Sequence, residues 1–227
     1  MHNSAATSEQ RRLDPLRVLL VDDHDLFRTG LRNLLEENGL TVAGEASTGL
    51  EAVKLVRELA PDVVVMDLNM PGISGVEATH QVTSLAPLTR VIVLTISDQD
   101  EDVMNAIVAG ACGYLLKDSS IPDLIRGIES AAIGESLISP HIASKVLQRV
   151  RATAADSEGA ETIRAELSDR EIEVLKLIAN GKDNAQIARD LVISPKTVKN
   201  HISNILMKLQ IDNRIQAAVY AVRSGIV

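Results

Sequence analysis

The sequence predicts a doubly wound α/β sheet of five parallel strands, followed by a small all-helical unit. Short apolar, strand-like runs alternate five times with helix-period segments within about 120 residues. Those runs end in polar or charged residues, as strands do where an open sheet keeps its ligand crevice. From Leu167 onward every apolar pattern has the period of a helix, so a second domain begins there.

Met1 to Pro15 has no apolar periodicity and reads as a disordered arm. Arg17-Val18-Leu19-Leu20-Val21 is the first strand, ending in Asp22-Asp23-His24. Leu26, Phe27, Leu31, Leu34 and Leu35 then follow helical spacing, and Asn38-Gly39 closes that helix. Residues 41–46 form a second strand, and Ala52 to Leu59 a second helix stopped by Pro61. Val63-Val64-Val65-Met66 is apolar throughout, as in a strand buried on both faces. It ends at Asp67, and Pro71-Gly72 leave it no room to continue. A helix from about Ser74 to Leu85, a strand at 90–95 and a helix around Asp102 to Ala109 come next. Residues 113–117 are the fifth strand, with a helix from about Ile121 to Ile133. His141 to Val150 is helical, and Arg151 to Glu161 is small and polar, the composition of a linker. The expected division is therefore an arm at 1–15, an α/β domain at 16–135, a linker with one helix at 136–164, and an all-α domain at 165–227.

In the last domain Ser168-Asp169-Arg170-Glu171 is a capping box opening a helix to Ala179, which Gly181 terminates. A second short helix runs from Asp183 or Asn184 to Leu191. After the turn at Val192-Ile193, Ser194-Pro195 caps a third. Two short helices joined by so brief a turn make a helix-turn-helix. Val198, Ile202, Ile205 and Leu209 share one face of the third helix. The opposite face carries Lys196, Asn200, Ser203 and Asn204, with Lys199 at its edge. Amides and hydroxyls there suit base edges, ammonium groups suit phosphates, and the helix start at Ser194 suits a further phosphate. An ordinary solvated face has the same composition, so spacing alone leaves both readings open.

Globular composition is evident in 45% hydrophobic and 24% charged residues. The aromatic set is only Phe27, Tyr114 and Tyr220, so the core is built of Leu, Val, Ile and Ala. Cys112, the single cysteine, rules out an intrachain disulfide and a cysteine-rich zinc site, and reads as a small core residue. No apolar run has the length of a signal or membrane segment, which points to the cytoplasm with no membrane partner. Net charge is -8, divided as -11 over residues 1–162 and +3 over 163–227, which suggests different partners for the two parts.

Collected at one crevice, the strand ends bring together Asp22, Asp23, Asp67, Thr95 and Lys117. Three converging carboxylates repel one another and recruit a cation, and oxygen ligands with room for water suit Mg2+. A cation beside an ammonium neutralises an incoming phosphoryl group, so Asp67 is expected to be a nucleophile forming an acyl phosphate. Thr95 and Lys117 would hold phosphoryl oxygens. His24 is read as a solvated neighbour of the acidic pair.

Asp22-Asp23, Asp67, Thr95 and Lys117, in this order over residues 16–135, resemble the receiver domain of two-component response regulators. Leu167-Ser-Asp-Arg-Glu171, Gln186-Ile-Ala188 and Ser194-Pro-Lys-Thr197-Val-Lys199-Asn-His201 resemble the LuxR-type DNA-binding domain, and the two together the NarL/FixJ-type regulators. The resemblance implies that a histidine kinase phosphorylates Asp67. It places Mg2+ on Asp23, Asp67 and the backbone carbonyl of Asn69, with Asp22 acting through water. It makes Thr95 and Tyr114 a switch pair, phosphate drawing Thr95 inward and the ring following. It puts Thr197, Lys199, Asn200 and Ser203 at double-stranded DNA, and gives the last helix, about Asn213 to Ser224, a role in homodimerisation. RNA polymerase is a further candidate partner. Two positions depart from the pattern: Asp118 stands where many receivers carry proline, and bulky Ile96 where a small residue is common. Ser203 replaces the base that some relatives carry, and His201 is read as structural.

The expected function is thus a phosphorylation-controlled transcription regulator, not an enzyme beyond its own phosphoryl transfer and dephosphorylation. One rival is an aspartyl-phosphate-forming phosphatase of the haloacid-dehalogenase kind, which needs a second acid where this chain has Asn69. Another is a regulator that works without phosphate, against which the full set of acidic pair, Thr95 and Lys117 argues.

Overall fold

A computed structural model of the chain describes residues 15–136, 167–211 and 213–227. The expected arm up to residue 14, the helix at 141–150 and the polar linker at 151–161 lie outside the described residues. Among the described residues, no helix is long and apolar enough to cross a membrane.

Five strands, β1 (Arg17–Val21), β2 (Thr41–Ala46), β3 (Val63–Met66), β4 (Arg90–Thr95) and β5 (Gly113–Leu116), form one parallel sheet in the order β2-β1-β3-β4-β5. Between them run α1 (Asp25–Glu37), α2 (Gly49–Leu59), α3 (Gly75–Leu85) and α4 (Asp100–Val108), with α5 (Ile121–Ala132) after β5. The order reverses between β1 and β3, which puts the ends of those two strands at the sheet's switch point. Register pairs Leu20 with Val65, Val65 with Ile92, and Val93 with Tyr114.

Alternate residues of each strand serve opposite faces. Val18, Leu20, Val65 and Ile92 pack beneath Leu35 of α1 and Ile128 of α5. Leu19, Val21, Val64 and Val91 pack against Val56 of α2 and Val82 of α3. Both faces are covered, which explains the unbroken apolar run of β3. α4 starts at Asp100, two residues before its expected start, because Gln99 and not Glu101 holds the extended capping conformation.

The second unit packs α6 (Asp169–Ala179), α7 (Asn184–Leu191), α8 (Pro195–Leu209) and α9 (Arg214–Arg223) around Leu175, Ile178, Ile187, Val198, Ile205 and Ala217. Reciprocal capping boxes, Ser168 with Glu171 and Asp183 with Gln186, open α6 and α7. Ser194 caps α8 with Pro195 in its first turn, as its sequence predicts. The turn between α7 and α8 passes through Val192 at φ 54, a left-handed position that a β-branched residue occupies under strain.

The two units touch. Ile215 and Val222 of α9 pack in one cluster with Val103, Ala106 and Ile107 of α4, and with Ala111 and Tyr114. Asn213 Nδ2 donates to the carbonyl of Ala111 at 3.1 Å, and Gln216 Nε2 to that of Ile107 at 3.0 Å. The second bond adds a partner to a carbonyl in the last turn of α4 that already accepts the N–H of Gly110 at 3.0 Å.

Candidate functional site

Asp22 follows β1 and Asp67 follows β3, so their backbones are fixed by a parallel ladder: the N–H of Asp67 donates to the carbonyl of Val21 at 2.9 Å. Both side chains are nearly buried, 5% and 3% exposed, whereas Asp23 is exposed. Lys117, at the end of β5, answers that buried negative charge. Its Nζ lies 2.7 Å from Asp22 Oδ2 and 2.7 Å from Asp67 Oδ2, and 4.7 Å from the centre of the Phe27 ring. Burial pulls its pKa down, but the bonds to Asp22 and Asp67 outweigh burial and raise it above the ordinary 10.5. The ammonium therefore keeps its charge throughout the physiological range.

The other carboxylate oxygen of Asp67 accepts the N–H of Asn69 at 3.3 Å. Asn69 Nδ2 and the N–H of Ser97 reach Thr95 Oγ1 at 3.5 and 3.4 Å, long contacts that leave the fully buried hydroxyl able to take a stronger partner. The site's back wall is equally close. A Cβ at Gly75 would stand 2.0 Å from the carbonyl oxygen of Asp67, so only glycine lets the start of α3 lie against the loop that presents this aspartate.

One ligand atom each from Asp22, Asp23, Asp67 and His24 lies within 4.8 Å of the others. Three carboxylates make a hard donor set that fits a divalent cation of the Mg2+ kind. His24 is more engaged than a merely solvated neighbour. Its Nδ1 is 2.8 Å from Asp23 Oδ1, and its N–H donates to Asp22 Oδ1 at 2.9 Å.

Tyr114 occupies β5 with its ring fully buried and its hydroxyl donating to the carbonyl of Ser97 at 2.8 Å. Burial, reinforced by Asp102 and Asp98, drives the phenol pKa up, so it stays a neutral donor. The ring is buried here in one cluster with Ile215 and Val222 of α9. Cys112 is buried as expected, its thiol pushed up to about 11 by burial and its Sγ directed to the carbonyl of Val91 at 3.2 Å.

On α8, Lys196, Asn200, Ser203 and Asn204 are exposed on the face opposite the core residues, as expected. Ser194 and Thr197 are tied together: Ser194 Oγ accepts the N–H of Thr197 at 3.0 Å, and the two hydroxyls lie 2.8 Å apart. Lys199 is turned toward the α/β unit, where its Nζ donates to the carbonyl of Ile133 at 2.7 Å. Sequence reasoning missed that contact, as it missed Asn213 and Gln216. Asn213 does carry a local signal, since it caps α9, but its bond across 102 residues leaves none.

Residues 18–129 match the family model of the response regulator receiver domain, and residues 165–221 that of bacterial regulatory proteins of the luxR family. The chain is 45% identical over 213 residues to transcriptional regulatory protein LiaR of Bacillus subtilis (strain 168), covering 93% of this chain and 99% of that one. It is 38% identical over 208 residues to nitrate/nitrite response regulator protein NarL of Escherichia coli (strain K12), covering 91% and 95%. Among solved structures, one of two RcsB dimers bound to two parallel DNAs aligns with a TM-score of 0.55 at 26% identity, covering 92% of this chain and 98% of that one.

Proposed function

The chain belongs to the response regulators that join a receiver to a LuxR-family DNA-binding domain, and from that premise we propose how its residues carry a phosphorylation signal to DNA. It is a two-component transcription regulator. The receiver spans 16–135, a linker 136–164 and the DNA-binding domain 165–227, and the chain acts in the cytoplasm on no external substrate.

Asp67 is the phosphoryl acceptor. One of its oxygens bonds to phosphorus as the bond from phosphorus to a kinase histidine nitrogen breaks, and the histidine leaves with the electron pair. Lys117, already 2.7 Å from Asp67, moves onto a phosphoryl oxygen as charge builds there, and the Thr95 hydroxyl donates to another. Asp23, Asp67 and the Asn69 backbone carbonyl would hold Mg2+, with Asp22 acting through water, and the ion would supply further neutralisation of the phosphoryl oxygens. The observation that carries this reading is the convergence of Asp22, Asp67, Thr95 and Lys117, from four strand ends, on one crevice.

The signal leaves through Thr95, Ser97 and Tyr114. A Thr95 hydroxyl drawn to phosphate lets go of the Ser97 N–H, and the Ser97 carbonyl holds the Tyr114 hydroxyl. Tyr114 packs with Ile215 and Val222, so a shift of the β4–α4 loop loosens α9 from the receiver. Freed α9 serves as a dimer surface, and freed α8 presents Lys196, Thr197, Lys199, Asn200, Ser203 and Asn204 to the major groove, with Ser194 at a phosphate. Two copies on paired half-sites then act on transcription, RNA polymerase being the partner addressed. The test is labelling by acetyl phosphate with Mg2+. Wild type is expected to take one phosphoryl group and Asp67→Asn none; labelling of Asp67→Asn at another residue would sink the assignment.

A further inference from the structure

Where the recognition helix meets the receiver, a cleft of about 280 Å³ is lined from both sides, by Leu88, Arg90 and Gly134 of the receiver and by Lys199, Leu206 and Arg214 of the other domain. Three cations line it, and none forms an ion pair with a carboxylate among the described residues. Lys199 donates one of its three N–H groups to the Ile133 carbonyl. Arg214 donates to Asn184 Oδ1 at 2.7 Å and to the carbonyl of Lys182, and burial lowers its pKa against the pull of Glu135 and Asp183. The Arg90 side chain makes no hydrogen bond or ion pair among the described residues, its backbone N–H alone donating to the carbonyl of Asp62; its guanidinium lies 3.9 Å from where a Cβ on Gly134 would stand. The one carboxylate on the cleft wall, Asp62, takes the backbone N–H of Arg17 at 3.0 Å, and Glu135 beyond the wall takes Asn184 Nδ2 at 2.8 Å.

Arg90 and Arg214 are partly buried and Lys199 is open to solvent, and a planar guanidinium and an ammonium lining one cleft are a donor set for phosphoryl oxygens. We propose that this interdomain cleft binds a small phosphorylated metabolite, its phosphoryl group on Arg90 and Lys199 and its body against Leu88, Ile202 and Leu206. The cleft sits just under the volume usual for ligand pockets, which limits the occupant to roughly a monosaccharide phosphate in size. The bound molecule fastens α8 to α5 and takes Lys199 away from DNA. It therefore holds the regulator in its docked form independently of Asp67.

Calorimetric titration of the full chain with inorganic pyrophosphate in metal-free buffer tests this, because the receiver's acidic site binds no bare anion. Saturable one-site binding is expected in wild type, with at least a tenfold loss of affinity in Arg90→Ala and no change in Lys196→Ala, whose ammonium lies outside the cleft. Arg90→Gln serves as the second variant should Arg90→Ala unfold, and the same tenfold loss is expected. No binding in wild type, or full affinity in the position-90 variants, would overturn the proposal. So would a loss confined to Lys196→Ala, since that places the anion on the open face of α8. None of these outcomes bears on phosphoryl acceptance by Asp67.

Discussion

A methyl group at position 75 is enough to disturb the loop that carries Asp67, since it would sit 2.0 Å from the Asp67 carbonyl oxygen and 2.6 Å from Leu68 Cα. Both are backbone atoms and cannot rotate aside. Gly75→Ala is expected to cost about 1–3 kcal/mol in chemical unfolding of the receiver. It should also slow labelling by acetyl phosphate; wild-type stability and labelling would show that the loop yields freely. At Asn200 the side chain is exposed and uncommitted to the core, on the face of α8 that carries Lys196 and Ser203. Asn200→Ala is expected to weaken specific DNA binding by about 1–3 kcal/mol in a titration against operator DNA. An unchanged affinity and footprint would remove it from base readout. Asp22, Asp67, Thr95 and Lys117 were legible in the sequence because each closes an apolar strand, and strand ends of a parallel sheet share one edge. Gly75 was not, because nothing local marks a glycine whose constraint is the backbone of Asp67.

Element boundaries followed from caps. Ser74, Ser120, Ser168 and Ser194 each accept the N–H of the residue three places on, at the positions where the sequence opens a helix. Two receiver helices begin earlier than expected: α2 at Gly49, capped by Thr48 ahead of its first apolar residue, and α4 at Asp100, where Gln99 makes no side-chain cap and offers no signal to read. At the start of α6 the cap is also an ion pair. Glu171 accepts the N–H of Ser168 at 2.8 Å and the Lys208 ammonium at 2.7 Å. Burial works to raise its pKa, but Lys208 and Ser168 prevail and hold it below the ordinary 4.5. A depressed folded value means that ionised Glu171 stabilises fully above the ordinary carboxylate range, and that this stabilisation fades as pH falls through the depressed value. Glu171→Gln is therefore expected to lower stability by about 1 kcal/mol at neutral pH, read by thermal unfolding. The gap from wild type should close as pH drops below 4.5; a gap independent of pH would mean that the charge contributes nothing.

At the scale of the whole molecule, the two domains could be read from the sequence and their contact could not. Helix period, capping boxes and strand-end acids are written within a few residues of one another. The bonds of Asn213 to Ala111, Gln216 to Ile107 and Lys199 to Ile133 join positions 66 to 109 residues apart, and no local pattern encodes them. Those contacts are where regulation resides in this account. They cover α9, occupy Lys199, a lysine proposed for DNA, and gather Ile215 and Val222 into one cluster with Tyr114. A coupling of this kind requires that phosphate at Asp67 favour the undocked form over the docked one. Amide hydrogen exchange across the full chain reads that balance directly. Acetyl phosphate with Mg2+ is expected to strip protection from α9 and the last turn of α4 in wild type, and to leave both unchanged in Asp67→Asn. Undiminished protection in the phosphorylated wild type, or the same loss in Asp67→Asn, would contradict it.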